Sequence, residues 1–248
     1  MTTIRLSRVG KSFGSRRHSS VTALHDVDLE VSAGEFVCLI GASGCGKSTI
    51  LNLVAGLDAP TSGTVDVLGR TAMMFQEAAL FPWLTVAANV ELPMRLAGVA
   101  KPDRQARVEQ LLAAVHLDGF ADTRPHQLSG GMRQRAALAR AFAQDADILL
   151  MDEPFGALDA MTRDALHDEL DDLVRERRMT VLFVTHNVRE AARLGDRIVV
   201  LSPRPGRVTA TFEVDLPRPR RIEDADVGAL AAAVTEQLRE EALIHARR

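Results

Sequence analysis

A glycine-rich stretch within the first fifty residues has the residue types and spacing that bind phosphate. It fits the pattern G-x-x-x-x-G-K-[ST] from Gly41 to Ser48. The glycines allow successive backbone N–H groups to turn inward around a phosphate, and a following helix adds its positive N-terminal end. Lys47 is expected to reach the β- and γ-phosphates of a nucleotide, and the Ser48 hydroxyl to coordinate Mg²⁺. The predicted nucleotide-binding residues here are Gly41, Ala42, Ser43, Gly44, Cys45, Gly46, Lys47, Ser48 and Thr49.

The segments on either side of the loop speak against a chance match. With ordinary glycine usage, a chain of this length matches the pattern by chance roughly once in a hundred cases. Here the apolar run Glu35–Ile40 predicts a buried strand before the loop, and Thr49–Val54 predicts a helix after it. A strand, a phosphate loop and a helix in this order are the context that the motif requires. We therefore predict that the chain binds a nucleotide.

An acidic pair follows a second apolar run, Ile148–Met151. Asp152 is expected to coordinate Mg²⁺, because ligands collect at the carboxyl ends of parallel strands. Glu153 is placed to accept a proton from an attacking water. An acidic pair after a strand is more often part of a solvated loop, but its combination with a phosphate loop favours the catalytic interpretation.

The order of the remaining segments predicts an α/β fold with a largely parallel sheet. Val181–Val184 is a third continuous apolar run, which is typical of a strand buried on both faces. Leucines and a valine at helical spacing predict an amphipathic helix over residues 164–178. Residues 208–215 alternate between apolar and polar types and predict a half-solvated strand. Four segments are expected: residues 1–88, the first part of an ATP-binding core; 89–146, an inserted helical subdomain; 147–222, the rest of the core; and 223–248, a C-terminal helix.

The composition is that of an ordinary soluble protein: 248 residues, 46% hydrophobic and 25% charged, with a net charge of −3. The acidic balance argues against a nucleic-acid partner. No long uncharged apolar stretch and no signal-peptide pattern is recognisable, so we expect a cytosolic chain. The two cysteines, Cys38 and Cys45, are too close together to form a disulfide framework. Because Cys45 lies inside the phosphate loop, bound ATP is predicted to shield it from maleimide.

The stretch Leu128-Ser-Gly-Gly-Met-Arg-Gln-Arg135 resembles the signature sequence of the ATP-binding cassette (ABC) ATPases. The order of the other motifs is similar to that family along nearly the whole chain. In the family, the equivalents of Ser129, Gly130 and Gly131 close on the γ-phosphate of the ATP held by the opposite subunit. The simpler alternative, a serine that caps a helix, leaves the two glycines unexplained.

The resemblance implies a P-loop NTPase fold with a RecA-like parallel-sheet core, an N-terminal antiparallel β subdomain and an inserted helical subdomain. It also assigns roles to single residues. Gln76 matches the glutamine that senses the metal and the attacking water, and Asp159 matches a loop that crosses the dimer interface. His186 matches the histidine that contacts the γ-phosphate.

Phe13 stands where the family stacks an aromatic ring on adenine. The alternative is that Phe13 is a core residue. Residues 14–20 after it are predicted to form a solvated loop. The predicted catalytic residues are thus Lys47, Gln76, Glu153 and His186, and the predicted magnesium ligands are Ser48, Gln76 and Asp152.

The family's mechanism implies a head-to-tail homodimer that sandwiches two ATP molecules and reopens after hydrolysis. Exporters of the family usually carry fused membrane spans, ribosome-acting members two cassettes, and repair members long coiled coils. None of these features is recognisable here. The resemblance therefore implies the ATPase subunit of a bacterial importer, peripheral on the cytoplasmic face of the inner membrane. Its expected partners are integral membrane permease subunits and, indirectly, a periplasmic or lipid-anchored solute-binding protein.

Three stretches look like the nitrate, sulfonate and taurine importer ATPases: residues 75–90, 200–206 and 215–221. The first is unusually apolar. Phe81, Trp83 and Leu84 could accept a helix of the permease or could belong to the subdomain core, and the sequence favours neither. A P-loop kinase is disfavoured by the signature stretch. An ABC ATPase of a lipid or export system with separate permease subunits, and a soluble ABC ATPase, stay open as alternatives.

Overall fold

Strands and helices alternate along residues 1–14, 20–156 and 158–246, which are the residues that this computed structural model describes. Most of the loop predicted at residues 14–20 lies outside them. In chain order the elements are β1 (Thr2–Phe13), β2 (Val21–Ser32), β3 (Phe36–Gly41), α1 (Lys47–Val54), β4 (Ser62–Val67), β5 (Thr71–Met74), α2 (Val86–Leu96), α3 (Lys101–Ala114), a 3-10 turn (Pro125–Gln127), α4 (Gly130–Phe142), β6 (Ile148–Asp152), α5 (Ala160–Glu176), β7 (Thr180–Val184), α6 (Val188–Leu194), β8 (Arg197–Leu201), β9 (Val208–Glu213) and α7 (Ala225–Ala246).

The chain divides into two compact units, and the first comprises the described residues of Met1–Gly69 and Thr180–Arg248. It contains an antiparallel sheet in the order β2-β1-β4. It also contains β3, which pairs in parallel with β7 on one side and with β8 on the other, while β9 is antiparallel to β8. All six residues of β3 are buried, as the continuous apolar run predicts. The side chains of β9 alternate between half-buried and exposed, which confirms the predicted half-solvated strand.

The second unit comprises the described residues of Arg70–Met179. Here β5 and β6 pair in parallel, with Met74 opposite Met151. Helix α3 buries an apolar stripe formed by Val108, Leu111 and Leu112. The helix predicted over residues 164–178 begins earlier, at Ala160, because the Asp159 side chain caps it. Apolar spacing does not predict this start, because residues 160–163 of the first turn are exposed or half-buried.

The parallel strands and the N-terminal antiparallel sheet confirm the predicted α/β class. None of the helices within the described residues combines the length and the low polarity that a bilayer crossing demands. The subdomain boundaries at residues 88, 146 and 222 stay predictions.

Candidate nucleotide-binding site

The phosphate loop in the first unit leaves the carboxyl end of β3 and runs into α1. Gly44 and Gly46 have φ angles of 75° and 103°, in the left-handed region that favours glycine. A Cβ atom on Gly46 would lie 2.5 Å from Leu24 Cδ2, so a side chain is excluded there for steric reasons as well. Local conformation and packing therefore both require the glycines of the motif. The side chains of Ala42, Ser43 and Ser48 are exposed, and Thr49 is half-buried.

Lys47 bends back over the loop that precedes it. Its side chain is buried, with 6% of the residue exposed, and its Nζ donates to the carbonyl oxygens of Gly41 at 2.8 Å and Ala42 at 3.2 Å. The ammonium group is therefore held at the mouth of the loop by backbone acceptors. A phosphate bound there would offer stronger, charged acceptors to the same donor.

The Cys45 side chain points away from solvent, and its Sγ accepts a hydrogen bond from Lys47 Nζ at 3.9 Å. Its side chain is fully buried, and the Sγ atom would lie 2.7 Å from a Cβ atom on Gly41. Burial raises the pKa of the thiol above its ordinary value, although the nearby Lys47 acts in the opposite direction. The thiolate is the reactive species, so the raised pKa lowers the reactivity of this cysteine, and its buried position also limits access to the sulfur.

The expected maleimide result changes accordingly. The sequence predicts that ATP shields Cys45, whereas the buried thiol should label slowly both with and without nucleotide. Cys38 is also buried, so the native protein should take up almost no label, and urea should release two reactive thiols. Mass spectrometry of the labelled chain measures this. Fast labelling of Cys45 that ATP suppresses would contradict the buried position.

His186 lies at the same sheet edge as the phosphate loop. Leu39 of β3 is opposite Val184 of β7, so the carboxyl ends of these two parallel strands are neighbours. His186 follows β7 and is exposed. Its loop is fixed on both sides: the Thr185 hydroxyl donates to the Glu190 carboxylate, and the Asn187 N–H donates to Thr185 Oγ1 at 3.0 Å. Asn187 also caps α6. The fold thus brings the predicted γ-phosphate ligand to the edge where the phosphate loop begins.

Phe13 ends β1 and is 46% exposed. The alternative that it is a core residue is therefore wrong. The Lys11 ammonium makes a cation–π contact with its ring, and Lys11 Nζ lies 5.0 Å from the ring centroid. An exposed ring of this kind can stack on a base, and that role stays a prediction.

In the second unit, β5 and β6 end side by side and bring Gln76 and the acidic pair to one edge. Asp152 is the last residue of β6, and both Asp152 and Glu153 are half-buried. Glu153 has a φ angle of 44°, which is unusual for a residue with a side chain. Such conformations cost about 1–3 kcal/mol and persist where the surrounding structure imposes them, often at functional sites.

Two side chains of α4 hold the backbone that follows β5. Gln134 Nε2 donates to the carbonyl oxygen of Gln76 at 2.8 Å. The Arg140 guanidinium donates to the carbonyl oxygens of Ala78 and Ala79 at 2.8 and 2.7 Å. The sequence analysis missed both residues. The only signal for them was that polar side chains interrupt the alanine-rich pattern of the helix.

The signature stretch forms the start of α4. Ser129 caps the helix, and its Oγ accepts a hydrogen bond from the Met132 N–H at 3.2 Å. A Cβ atom on Gly131 would lie 2.4 Å from Thr162 Cγ2, so the packing of α5 explains this glycine. A Cβ atom on Gly130 would only touch Leu158 at 3.8 Å. Packing within the chain therefore gives no reason for Gly130, and its surface is open to approach from outside.

Asp159 caps α5 at an exposed position. Its Oδ1 accepts a hydrogen bond from the Thr162 N–H at 3.0 Å, and this bond lowers the pKa of the carboxyl group. The predicted interface residue thus has a local structural role as well, which the sequence analysis did not weigh.

The residues predicted to hold magnesium carry oxygen atoms. Among residues 1–14, 20–156 and 158–246, no three His, Cys, Asp or Glu residues form a group that could hold a metal ion. In proteins, magnesium is commonly held by one or two carboxylates together with substrate phosphates and water. The hydroxyl of Ser48, the amide of Gln76 and the carboxylate of Asp152 offer oxygen ligands of that type.

Comparisons with known proteins place the chain in a family. The ABC transporter family matches residues 24–156. The taurine import ATP-binding protein TauB of Rhizobium johnstonii is 43% identical over 244 residues, which cover 94% of this chain and 93% of TauB. The bicarbonate transport ATP-binding protein CmpC of Synechococcus elongatus is 47% identical over 232 residues, and the chain spans only 35% of its length.

A solved structure with the same fold is the dimeric ATP-binding cassette MJ0796 in a post-hydrolysis state bound to ADP and Pi. It matches with a TM-score of 0.77 and 34% identity, covering 86% of this chain and all of the other. Sequence and structure agree on one assignment: the chain belongs to the ABC transporter family.

Proposed function

We propose that this chain is the ATP-hydrolysing subunit of a bacterial ABC importer. It energises the uptake of a small anion, such as an aliphatic sulfonate, nitrate or taurine, through a separate membrane permease. The observation that carries the proposal is the phosphate loop between β3 and α1, with Lys47 at its mouth, in a chain of the ABC transporter family. TauB is named for taurine import and CmpC for bicarbonate transport, which supports the importer assignment and an anionic solute.

In this proposal ATP is the substrate, and the first unit binds its phosphates. The backbone N–H groups of Gly44 to Thr49 surround the β-phosphate, and Lys47 exchanges the Gly41 and Ala42 carbonyl oxygens for phosphate oxygens. Phe13 stacks on the adenine ring. Ser48, Gln76 and Asp152 hold Mg²⁺, which when bound neutralises the charge on the phosphates.

Hydrolysis in this proposal depends on Glu153, Gln76 and His186. The oxygen of a water molecule attacks the γ-phosphorus while Glu153 accepts a proton from that water. The bond between the γ-phosphorus and the oxygen of ADP breaks. Gln76 orients the water, and His186 donates a hydrogen bond to the γ-phosphate. These roles rest on the motifs and on the position of each residue at the end of a strand.

The proposal also includes an ATP-bound homodimer. Ser129 and Gly130 of one copy approach the γ-phosphate held by the other copy, and Asp159 crosses the interface. The open surface of Gly130 suits such an approach, and the dimeric MJ0796 cassette is a precedent with the same fold. Loss of the γ-phosphate after hydrolysis removes contacts that close the dimer.

The permease is proposed to bind at an exposed aromatic turn in the second unit, which we define as residues 81–85. Trp83 is 68% exposed and lies against Phe81, with ring centroids 5.4 Å apart. Large exposed aromatic side chains next to one another are typical of protein interfaces. The exposure of Trp83 favours docking over the alternative that this segment is core, although Leu84 is half-buried.

Asn89 holds the aromatic turn in place. Its side chain is fully buried; its Nδ2 donates to the carbonyl oxygens of Phe81 and Thr85 at 3.2 and 2.9 Å, and its Oδ1 accepts from the Phe81 N–H at 2.8 Å. A turn held by such bonds presents its aromatic rings in a fixed orientation, which lowers the entropy cost of binding a partner.

Affinity purification tests the proposal. The tagged chain is recovered from detergent-solubilised membranes of its native host and analysed by mass spectrometry. We expect a multi-span permease with the wild type, and substantially less of it with Trp83→Ala. Leu96→Ala is the matched control, because Leu96 is a 79% exposed apolar residue on α2 in the same unit.

The outcomes separate the alternatives. A permease encoded beside a periplasmic or lipid-anchored solute-binding protein supports an importer at the cytoplasmic face of the inner membrane. A permease without such a neighbour favours a lipid or export system. Recovery of soluble partners alone overturns the transport assignment and favours a soluble ABC ATPase.

A further inference from the structure

The turn between β8 and β9 reaches back to the outer side of the phosphate loop. We define this buttress turn as residues 202–207. It is closed by its own hydrogen bonds: Ser202 Oγ donates to the Pro205 carbonyl oxygen at 2.9 Å and accepts from the Arg207 N–H at 3.0 Å, and the Ser202 N–H donates to the Arg207 carbonyl oxygen at 2.9 Å. A turn closed by these hydrogen bonds has a defined conformation and can position the phosphate loop that it contacts.

The buttress turn is also bonded to β2. The Gly206 N–H donates to the Ala23 carbonyl oxygen at 2.8 Å, and the His25 N–H donates to the Gly206 carbonyl oxygen at 3.0 Å. Between them, Leu24 Cδ2 would lie 2.5 Å from a Cβ atom on Gly46 and 3.3 Å from one on Gly206. The strand, the turn and the phosphate loop are thus packed on one another.

Two consecutive peptide groups of the phosphate loop meet the buttress turn. Arg204 Nε donates to the Gly44 carbonyl oxygen at 3.3 Å. A Cβ atom on Gly206 would lie only 2.0 Å from the Cys45 carbonyl oxygen, so no other residue fits there without moving that carbonyl. A peptide group is planar, so these contacts help to hold the peptide planes that carry the N–H groups of Cys45 and Gly46. The Cys45 N–H itself donates to the Ala42 carbonyl oxygen at 3.2 Å.

The buttress turn and Lys47 hold different parts of the loop. Lys47 bonds to the carbonyl oxygens of Gly41 and Ala42, and the proposed function requires it to leave them for phosphate. Arg204 and Gly206 contact the carbonyl groups of Gly44 and Cys45, whereas phosphate is bound by N–H groups, so these contacts need not break when a nucleotide binds. These contacts can therefore maintain the conformation of the phosphate loop after Lys47 has left the Gly41 and Ala42 carbonyl oxygens.

We propose that the buttress turn sets the nucleotide affinity of the phosphate loop, with Gly206 and Arg204 as its positioning residues. By fixing the peptide groups after Gly44 and Cys45, it keeps the N–H donors in the arrangement that phosphate requires, so less order has to be created on binding. This inference rests on the proposed function, because it takes the loop to bind ATP.

The test compares Gly206→Ala, Arg204→Ala and Arg204→Lys with two controls. Gly228→Ala is the control for glycine, since a Cβ atom there meets nothing within 4 Å. Arg221→Ala is the control for arginine, since Arg221 is an exposed residue of the same unit that lies outside the buttress turn. The dissociation constant for mant-ATP with Mg²⁺ is measured for each, and hydrogen exchange of the phosphate-loop amides is measured without nucleotide.

We expect Gly206→Ala to weaken binding about tenfold or more and Arg204→Ala roughly three- to tenfold. Arg204→Lys should fall between Arg204→Ala and the wild type, and both controls should stay within about twofold. Loop amides should exchange faster in the first two variants. Unchanged affinity and exchange in both variants, even with a lower Tm, would overturn the proposal.

If Gly206→Ala does not fold, Arg204→Ala decides by itself: affinity equal to that of Arg221→Ala overturns the proposal, and weaker affinity supports it. A wild-type chain that does not bind mant-ATP contradicts the proposed function instead. That result is distinguishable, since a failure of the buttress alone leaves all variants binding equally well.

Discussion

Glu153→Gln should bind ATP with nearly unchanged affinity, lose most of its hydrolysis, and accumulate as an ATP-dependent dimer. Glutamine has the size and shape of glutamate but cannot accept a proton from water. Loss of a general base costs about 10²- to 10⁴-fold in rate. The backbone at Glu153 has a φ angle of 44°, and glutamine adopts it at a similar cost, so the loop should keep its conformation.

The measurements are phosphate release and sedimentation with and without ATP. Glu240→Gln is the control, because it makes the same change at an exposed position on α7. A Glu153→Gln protein that hydrolyses ATP at the wild-type rate would show that another group takes the proton. One that stays monomeric in ATP at high protein concentration would contradict the sandwich dimer.

Lys47→Ala should lose most nucleotide affinity. A hydrogen bond to a charged group contributes about 1.5–3 kcal/mol, which corresponds to roughly ten- to hundredfold in the dissociation constant. The substitution also removes the donor for the Gly41 and Ala42 carbonyl oxygens. We therefore expect a modest fall in Tm without nucleotide, and a much smaller stabilisation on adding ATP than in the wild type.

Calorimetric titration with ATP and thermal unfolding at several ATP concentrations check this result. Lys101→Ala, at an exposed lysine in the first turn of α3, is the matched control and should titrate like the wild type. Equal ATP affinity in Lys47→Ala and Lys101→Ala would contradict the assignment of the phosphate loop.

The buried elements were predictable because burial leaves a direct pattern in the sequence. The runs that form β3, β6 and β7 are continuously apolar, since both of their faces are covered. The start of α5 was not predictable from apolar spacing, because the residues of its first turn are half-buried or exposed and only the cap at Asp159 defines it. Strand β8 was not predicted, although its residues 198–201 are buried.

The residues of the site were predictable where a motif names them, and their supports were not. The phosphate-loop pattern identifies Lys47, but it does not tell that Cys45 points into the core. Gly206 lies 160 residues beyond Gly46, and its contact with Cys45 depends on how β8 returns beside β3. Arg140 and Asn89 act through backbone carbonyl groups, which have the same chemistry at every residue, so no sequence pattern marks their targets.

Helix α4 has a mechanical consequence for transport. Ser129 caps its first turn, and about 16 Å of helix connects that end to Arg140, which holds the carbonyl oxygens of Ala78 and Ala79. In the proposed transporter, α4 would carry a displacement between its Ser129 end and the backbone that precedes the aromatic turn. The coupling between ATP and the permease would then depend on the stiffness of this helix as well as on either contact surface.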